Sequence, residues 1–205
     1  YEVIYEEDTA LYAQLQAGEF DVDEDLACAM YERMLESAAN AGLLQYEVAN
    51  FARGTTHTEG GLPSQSAEHL PALACKHNVN YWRGGSFYGL GPSATSYVRG
   101  MRTKNWSNTQ LYCEQLEKGR RAIETQEQLS PLGRAGETAA FGLRLVAGWP
   151  FEDFRQRTGY DLRGEWNHEI EQLSRRGWGR VDASAFRLTA DGLRFADSAA
   201  QLFLR

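Results

Sequence analysis

The sequence predicts an α/β region followed by a mainly α-helical region with a winged-helix-like layout. Apolar and charged residues alternate over residues 1–5, which is typical of a strand, and an amphipathic helical period follows from Asp23. After Asn105 a segment rich in glycine and aromatic residues gives way to helical periodicity. The 205 residues allow one full domain with a smaller companion. We therefore expect two regions, residues 1–104 and 105–205.

Composition and charge exclude several classes of protein. Hydrophobic residues make up 42% and charged residues 24% of the chain, which excludes a disordered chain, a collagen and a disulfide mini-scaffold. The net charge of −7 supplies no positive field for phosphate backbones, so nucleic acid is disfavoured as a partner. Three scattered cysteines indicate a reducing compartment, and no apolar run approaches the roughly 20 residues of a membrane span. These features predict a cytoplasmic protein without a membrane span.

Strand and helix signals predict the elements of the first region in order. Residues 1–5 predict a strand with an exposed edge, and because no initiator methionine precedes it, we expect a longer protein to continue before it. A helix begins after Asp23 and ends at Gly42. Residues 43–51 predict a second strand, and strand, helix, strand is the unit of a parallel sheet. The predicted apolar face of the helix consists of Leu26, Met30, Met34, Ala38 and Ala41.

The second half of the first region has an unusual composition. Residues 54–74 are rich in glycine, serine, threonine, histidine and proline and predict a long surface loop. Loops of that length are either functional or disordered. Residues 75–100 are dense in glycine and aromatic side chains, and residues 87–90 predict one further strand that leads into a glycine turn.

Capping residues and a hairpin signal predict the second region. One helix lies between Asn108 and Gly119, a second begins after Ser130, and a third lies between Pro150 and Gly159. A fourth ends at Gly177, and the last begins after Thr189. Their apolar faces consist of Leu132, Ala135, Ala139, Leu143 and Val146, of Leu162, Trp166, Ile170 and Leu173, and of Leu193, Ala196, Ala200 and Phe203. Residues 178–181 and 186–188 predict a β-hairpin. Three helices, a hairpin and a closing helix form the winged-helix-like layout.

A glycine motif at residues 89–94 matches the letters of the dinucleotide fingerprint G-x-G-x-x-A. The fingerprint needs a helix at its third position, whereas Pro92 and the residues that follow are more typical of a strand. We therefore do not assign a dinucleotide site. The glycines still predict that the backbone approaches either another strand or a ligand closely, and the sequence leaves these two readings open.

Cys75 and His77 place a thiol and an imidazole two residues apart. Structural zinc needs four ligands in paired spacings, which the sequence lacks. A haem iron needs only one axial ligand inside an aromatic pocket, and His77 stands beside Tyr81 and Trp82. The alternative is a hydrogen-bonded histidine of the core.

The winged-helix-like layout also suggests an alternative function, a docking module that binds DNA or another protein. Winged-helix proteins that recognise DNA place a helix in the major groove and present a basic surface patch. Residues 149–205 contain nine arginines and nine acidic residues, so the module is neutral. Its candidate contacts are Arg175, Arg176, Arg180 and Arg187.

Three segments taken together carry a family resemblance. They read YEVANFAR at 46–53, CKHNVNYW at 75–82 and GLGPSATSY at 89–97. In this order they resemble the oxygen-independent coproporphyrinogen III oxidase-like radical SAM family, and most closely its HemW-type haem chaperone branch. The H-N-x-x-Y-W signature of that branch corresponds here to His77, Asn78, Tyr81 and Trp82.

The resemblance implies a fold and a set of cofactors. It implies that the chain supplies the closing strands and helices of an incomplete (β/α) radical SAM barrel, followed by a winged-helix-like C-terminal domain. Residues 54–74 are longer than the corresponding loop of the family. The family holds a [4Fe-4S] cluster and S-adenosylmethionine through C-x-x-x-C-x-x-C, which this chain lacks. The resemblance therefore assigns both cofactors to the intact protein, and we expect this fragment to be inactive alone, with no catalytic residue of its own.

The resemblance also implies partners and site residues. On the S-adenosylmethionine side of the barrel it points to Ile4, Ala94 and Thr95. For haem it points to His77 as the axial ligand of the iron, with Cys75 second and Tyr81 and Trp82 as walls. The expected function is a haem-binding chaperone, and the alternative is the oxidase that acts on coproporphyrinogen in haem biosynthesis. Expected partners are haem or coproporphyrinogen, the N-terminal half of the barrel and a haem-acceptor protein.

Overall fold

A computed structural model describes residues 3–54 and 70–205 of the chain. The described residues form ten helices and three small antiparallel sheets. The helices are α1 Ala10–Gln16, α2 Glu24–Asn40, α3 Lys76–Trp82, α4 Thr109–Glu117, α5 Pro131–Gly142, α6 Phe151–Thr158, α7 Leu162–Glu165, α8 Asn167–Arg175, α9 Ala190–Arg194 and α10 Ala196–Gln201. The strands are β1 Leu43–Gln45, β2 Phe51–Arg53, β3 Thr95–Val98, β4 Met101–Asn105, β5 Ile123–Gln128, β6 Trp149–Pro150, β7 Gly179–Val181 and β8 Ala185–Leu188.

The strand predicted over residues 1–5 is wrong where the structure describes it. Residues 3–6 have no regular secondary structure, and Ile4 is 77% exposed. The alternating pattern is present, but a strand also needs a neighbouring strand for its backbone hydrogen bonds. The described part of the chain pairs no strand with these residues.

Helix α2 begins as predicted, but its apolar face is wrong. The side chain of Asp23 accepts a hydrogen bond from the backbone N–H of Leu26 at 2.8 Å, which caps the helix. The predicted apolar row faces solvent, with Leu26 56% and Met30 64% exposed. The more buried row consists of Ala27, Tyr31, Leu35 and Ala38, of which only Ala38 belongs to the predicted row. Tyr31 fixes this rotation because its hydroxyl donates to the backbone carbonyl of Val48 at 3.2 Å.

The predicted parallel unit around α2 is also wrong. The segment predicted as one strand over residues 43–51 divides into a turn flanked by β1 and β2, which pair antiparallel with Gln45 opposite Phe51. The backbone N–H of Tyr46 donates to the carbonyl of Asn50 at 3.1 Å and closes the turn. Tyr46, Val48 and Ala49 of the turn are apolar like the strands, so the sequence pattern does not separate the two strands.

Two further predictions concern the middle of the chain. Most of the loop predicted over residues 54–74 lies outside the described residues. The strand predicted over residues 87–90 is reduced to one bridge, in which Phe87 and Tyr97 exchange backbone hydrogen bonds of 2.8 and 2.9 Å. Strand β3 follows the glycine motif, as predicted from its strand-like residues.

A three-stranded sheet in the order β3, β4, β5 occupies the middle of the chain. Val98 pairs with Met101 across a two-residue turn, and Met101 pairs with Gln128 on the other side. Sequence patterns did not predict β5, because its residues after Ile123 are polar and exposed and carry no alternation. The sheet continues across residue 105, and the boundary proposed there stays a prediction.

The main core lies in the second region, where the predicted caps and hairpin are present. The helix predicted through Leu162 and Leu173 is divided into α7 and α8, and the helix predicted after Thr189 is divided into α9 and α10. Ser130 accepts from the N–H of Gly133 at 3.0 Å and caps α5, and Thr189 accepts from Gly192 at 3.0 Å and caps α9. The predicted hairpin is β7 and β8, and β6 adds a third strand beside β8. The largest fully buried side chains of this core are Trp149, Phe154, Trp166, Phe186 and Phe203. No helix in the described parts of the chain is long and apolar enough to cross a bilayer.

An ion pair closes the β7–β8 hairpin. One carboxylate oxygen of Asp182 accepts hydrogen bonds from the hydroxyl and N–H of Ser184 and from the N–H of Ala185, all between 2.8 and 2.9 Å. The other accepts from Arg187 at 2.7 Å. These interactions, led by the Ser184 hydroxyl, lower the pKa of Asp182 from 3.8 to about 2. Arg187 is 8% exposed, so it depends on this partner.

Replacing Asp182 with asparagine is expected to destabilise the chain in a pH-dependent way. A carboxylate with a lowered pKa in the folded state stabilises above its unfolded pKa and loses that effect as pH falls through its folded pKa. The difference in free energy of unfolding between wild type and Asp182→Asn should therefore be constant at neutral pH and shrink between about pH 4 and pH 2. Urea unfolding at a series of pH values measures it. A difference independent of pH over that range would contradict the prediction.

Candidate functional site

Helix α3 and the residue before it supply the four residues that the sequence singled out for a tetrapyrrole. Cys75 is the residue that precedes the helix, and its thiol donates to Oδ1 of Asn78 at 3.6 Å. The Nδ2 of Asn78 donates in turn to the hydroxyl of Tyr46 at 3.4 Å. Tyr46 is 2% exposed, and burial raises its pKa. Asn78 of the H-N-x-x-Y-W segment therefore fixes α3 to the turn between β1 and β2.

The end of α3 is fixed to the main core. The guanidinium of Arg83 donates to the backbone carbonyl of Gly148 at 2.7 Å and lies 4.5 Å from the ring centre of Trp149. Burial lowers the pKa of Arg83 from 12.5 to about 10, against the opposing charge of Asp153. With both ends held, α3 is a rigid platform for the side chains that project from it.

His77 projects from this platform into solvent. Its ring meets Tyr81 edge to face, with centroids 4.7 Å apart and planes at 86°. Neither ring nitrogen hydrogen-bonds to another described residue, and the side chain is exposed. The alternative of a hydrogen-bonded core histidine is therefore wrong, and an imidazole nitrogen is accessible to a ligand or a metal.

An aromatic cavity of about 330 Å³ lies beside α3. The ring of Tyr81 contacts Phe87 with centroids 4.3 Å apart, and Phe87 contacts Tyr97 at 6.2 Å. The aromatic residues that line the cavity are Tyr81, Trp82, Phe87, Tyr97 and Phe141. The volume is near the lower end of ligand pockets, which span roughly 300–1,000 Å³. Its lining of rings suits an apolar, flat ligand surface.

The charged part of this lining is one ion pair. Arg102 of β4 donates to Glu137 of α5 at 2.5 Å and to Glu127 at 2.8 Å. The hydrogen bond with Glu137 is the main cause that raises the pKa of Arg102. The pair joins the central sheet to α5 within the lining of the cavity.

The main contacts of Trp82 are with other hydrophobic side chains. It packs against the small cluster of Tyr46, Ala52 and Leu145, and Arg144 lies 5.0 Å from its ring centre. Its indole Nε1 is buried without a hydrogen-bond partner in the described parts of the chain. Trp82 thus connects the cavity to the β1–β2 turn.

The glycine motif approaches a strand. A Cβ on Gly89 would lie 2.3 Å from the backbone oxygen of Thr95, so only glycine fits there. The Nδ2 of Asn105 donates to the carbonyl of Gly91 at 2.9 Å, and the N–H of Gly91 donates to the hydroxyl of Tyr112 at 3.1 Å. Of the two readings left open by the sequence, the strand is the one observed.

The three residues suggested for the S-adenosylmethionine side lie in different parts of the fold. Ala94 and Thr95 are adjacent at the start of β3. Ile4 is in the exposed segment before α1. Their assignment to a cofactor stays a prediction.

The sequence missed the cavity residues outside α3. Phe141 comes from α5, and its contact with Trp82 at 6.4 Å has no signal in either local sequence. Phe87 and Tyr97 were visible only as aromatic neighbours of the motif. Their bridge partnership depends on the tertiary fold.

The cysteines of this chain do not fit a [4Fe-4S] cluster. Cys28 lies on α2, Cys75 precedes α3 and Cys113 lies on α4, and all three are free and exposed. Among residues 3–54 and 70–205, no group of three or more histidine, cysteine or acidic side chains is placed to hold a metal ion. Cluster ligation needs several thiolates at one point.

Comparisons with known proteins identify related sequences and a related fold. Residues 129–195 match the family described as HemN C-terminal domain. The protein named "Heme chaperone HemW" of Bacillus subtilis (strain 168) is 28% identical over 199 residues, covering 94% of this chain and 46% of the relative. The protein of the same name from Lactococcus lactis subsp. lactis (strain IL1403) is 26% identical over 205 residues, covering 100% of this chain and 49% of the relative. The chain is related to HemN and HemW.

Further matches define the extent of this relationship. The mitochondrial "Radical S-adenosyl methionine domain-containing protein 1" of Mus musculus is 28% identical, covering 97% of this chain and 44% of the relative. Coproporphyrinogen III oxidase (HemN) from Escherichia coli shares the fold with a TM-score of 0.58 and 14% identity, covering 84% of this chain and 39% of the oxidase. The predicted α/β content is confirmed by this structural match. The HemW-related chain spans about half the length of the HemW relatives.

Proposed function

We propose that this chain is part of a HemW-like haem chaperone and contacts haem through His77. The observation that carries the proposal is the exposed imidazole of His77, held edge to face against Tyr81, which itself lines the aromatic cavity. Two relatives that span nearly the whole chain are named haem chaperones, which supports the same function.

The residues near His77 fit a haem. When bound, haem supplies an iron that takes an axial ligand from the protein. Neither ring nitrogen of His77 hydrogen-bonds to another described residue, so a nitrogen is free to ligate the iron. The edge-to-face contact with Tyr81 fixes the orientation of the imidazole ring. Tyr81 and Trp82 offer ring surface on the same helix. Cys75 is the second candidate ligand, but its thiol already contacts Asn78.

The proposal includes the rest of the intact protein. The exposed row of Leu26, Met30 and Met34 on α2 is an apolar surface of the kind that another part of a barrel covers. We assign that part, the [4Fe-4S] cluster and the S-adenosylmethionine to the remainder of the protein, with Ile4, Ala94 and Thr95 on the cofactor side. We assign residues 105–205, which hold α4 to α10 and β5 to β8, to the winged-helix-like C-terminal domain.

Replacing His77 with alanine is expected to abolish the shift of the Soret band that haemin shows on binding to the chain. The change removes the axial nitrogen and leaves the exposed surface of α3 otherwise intact. Absorption titration with haemin measures it. His168→Ala, which removes an exposed histidine of α8, is the matched control and should titrate like wild type, as should Cys75→Ser.

Two results would contradict the role of His77. One is a wild-type chain without a Soret shift. The other is an identical shift in wild type and His77→Ala. Loss of the shift in Cys75→Ser alone would assign the ligand to Cys75 instead.

The other functions have less support. Support for the oxidase function comes from the fold that the chain shares with HemN at 14% identity. The two relatives that align with nearly the whole chain are instead named haem chaperones. Of the arginines considered for DNA docking, Arg180 lies on the hairpin and stays a candidate. Arg187 is buried in its ion pair with Asp182, so it is no longer a candidate for contact with DNA. Arg176 lies over the ring of Trp178 at 5.4 Å.

A further inference from the structure

A second cavity of about 360 Å³ lies next to the aromatic cavity and differs from it in charge. Three arginines line it, and we call it the arginine cavity after Arg99, Arg134 and Arg157. Its other polar lining residues are Ser86, Tyr97, Thr138 and Thr158, and no acidic residue lines it. In a chain of net charge −7, three arginines around one uncompensated cavity form a local positive site.

Among residues 3–54 and 70–205, none of the three guanidinium groups forms an ion pair with an acidic side chain. The ion pairs within the described residues involve Arg33, Arg102, Arg144, Arg163, Arg187, Arg194, Arg205 and Lys118, and none involves an arginine of this cavity. Side-chain hydrogen bonds from Arg99, Arg134 and Arg157 to other described residues are likewise absent. Like charges around one cavity repel each other, and an anion bound between them removes that repulsion.

Three separate elements bring these arginines together. Arg99 lies in the turn between β3 and β4, Arg134 lies on α5 and Arg157 lies near the end of α6. Arg134 is half-buried, whereas Arg99 and Arg157 are exposed at the rim. The cavity is therefore a product of the tertiary fold.

The turn between β3 and β4 is shaped to admit Arg134. Arg99 and Gly100 have φ angles of 51° and 83°, which is the left-handed pair of a type I′ hairpin turn. A Cβ on Gly100 would lie 2.3 Å from Nη1 of Arg134, so the absence of a side chain makes room for the guanidinium. Arginine at a left-handed position is disfavoured compared with asparagine or glycine, and here it adds a charge to the cavity.

The two cavities are continuous in their lining. Gly84, Tyr97 and Thr138 line both of them. One side of this shared wall offers aromatic rings, and the other offers guanidinium groups that form strong hydrogen bonds with carboxylates. This polarity matches a single amphiphilic ligand with a flat aromatic body and several carboxylates.

We propose that the arginine cavity binds the carboxylates of a polycarboxylate aromatic ligand whose ring system lies against the aromatic cavity. The inference deepens the proposed function and rests on it for the ligand class, since it assigns the carboxylate end of a tetrapyrrole to Arg99, Arg134 and Arg157. It is independent of iron, because the arginines contact the carboxylates and His77 contacts the metal.

Metal-free coproporphyrin III is the probe that separates the two contacts. It carries carboxylates and an aromatic ring system but has no iron for His77 to ligate. We expect it to bind the wild-type chain in a fluorescence titration and to bind about 10-fold more weakly, or worse, to Arg134→Gln and Arg157→Gln. Arg157 is exposed, so its replacement leaves the fold intact, and circular dichroism checks both variants.

Matched controls complete the experiment. Arg155→Gln removes an exposed arginine of α6 that does not line the cavity and should bind like wild type. A water-soluble tetracationic porphyrin should bind more weakly than coproporphyrin and show no dependence on the arginines. His77→Ala should bind metal-free coproporphyrin as wild type does, even though it loses the haemin Soret shift.

The outcomes separate this inference from the proposed function. Absence of coproporphyrin binding to wild type, or equal affinity in wild type, Arg134→Gln and Arg157→Gln, would overturn the arginine cavity as a carboxylate site. A coproporphyrin affinity that depends on the arginines, together with no haemin Soret shift, would support the cavity and contradict the haem ligation by His77.

Discussion

Replacing Trp166 with alanine is expected to lower the free energy of unfolding by about 3–5 kcal/mol, because it opens a cavity at the centre of the main core. Trp166 is 0% exposed and meets the ring of Phe154 edge to face at 5.9 Å. Its ring stacks on Phe203 at 6.4 Å, and its indole N–H donates to the carbonyl of Phe203 at 3.0 Å. Urea unfolding followed by circular dichroism measures the loss.

A large aromatic residue on the surface provides the control for Trp166. Tyr88 is 77% exposed, so Tyr88→Ala removes a ring without opening a cavity and should change the free energy of unfolding by less than about 0.5 kcal/mol. A similar loss in both variants would contradict the assignment of the core to the second region.

Replacing Gly142 with alanine is expected to destabilise the chain by about 1–3 kcal/mol or more, because the added methyl group overpacks the core. A Cβ at this position would lie 1.9 Å from Nε1 of Trp149. That nitrogen donates to the carbonyl of Thr138 at 3.0 Å, so the indole cannot move away without losing a buried hydrogen bond. Thermal or urea unfolding measures the effect.

Gly164 provides the matched control for Gly142. It also lies in a helix, but a Cβ there would have no neighbour closer than 3.7 Å. Because alanine has the higher helix propensity, Gly164→Ala should leave stability unchanged or raise it by up to about 1 kcal/mol. Equal destabilisation of the two variants would show that the close approach of Trp149 has no energetic consequence.

The second region could be predicted because its signals are local. Ser130 and Thr189 each cap the helix that follows them, within three residues along the chain. The apolar period of Leu162, Trp166 and Ile170 coincides with burial, since all three are fully or almost fully buried. Local capping and packing agree there, so the pattern alone is sufficient.

The first region was predicted less well because its pairing partners are distant or follow a weak pattern. The turn after β1 is bonded to the segment that follows α5, because the N–H of Val48 donates to the carbonyl of Arg144 at 3.1 Å. Strand β5 of the second region was missed for a similar reason, because its residues are polar and it gains its structure from pairing with β4 of the first region. Short strands of this kind depend on tertiary context more than on propensity.

The candidate site divides in the same way. His77, Tyr81 and Trp82 could be predicted as a group because one helix carries them. Phe141 and Arg134 could not, because α5 reaches the site only through the packing of the main core. No spacing in the sequence connects α5 to α3.

Resonance Raman spectroscopy of the ferrous haem complex tests the role of His77 most directly, because it detects the iron–histidine stretching vibration itself. The proposed function predicts this band in the wild-type chain and in His168→Ala, and its absence in His77→Ala. A band that persists in His77→Ala, or a wild-type complex that binds haem without it, would contradict ligation by His77.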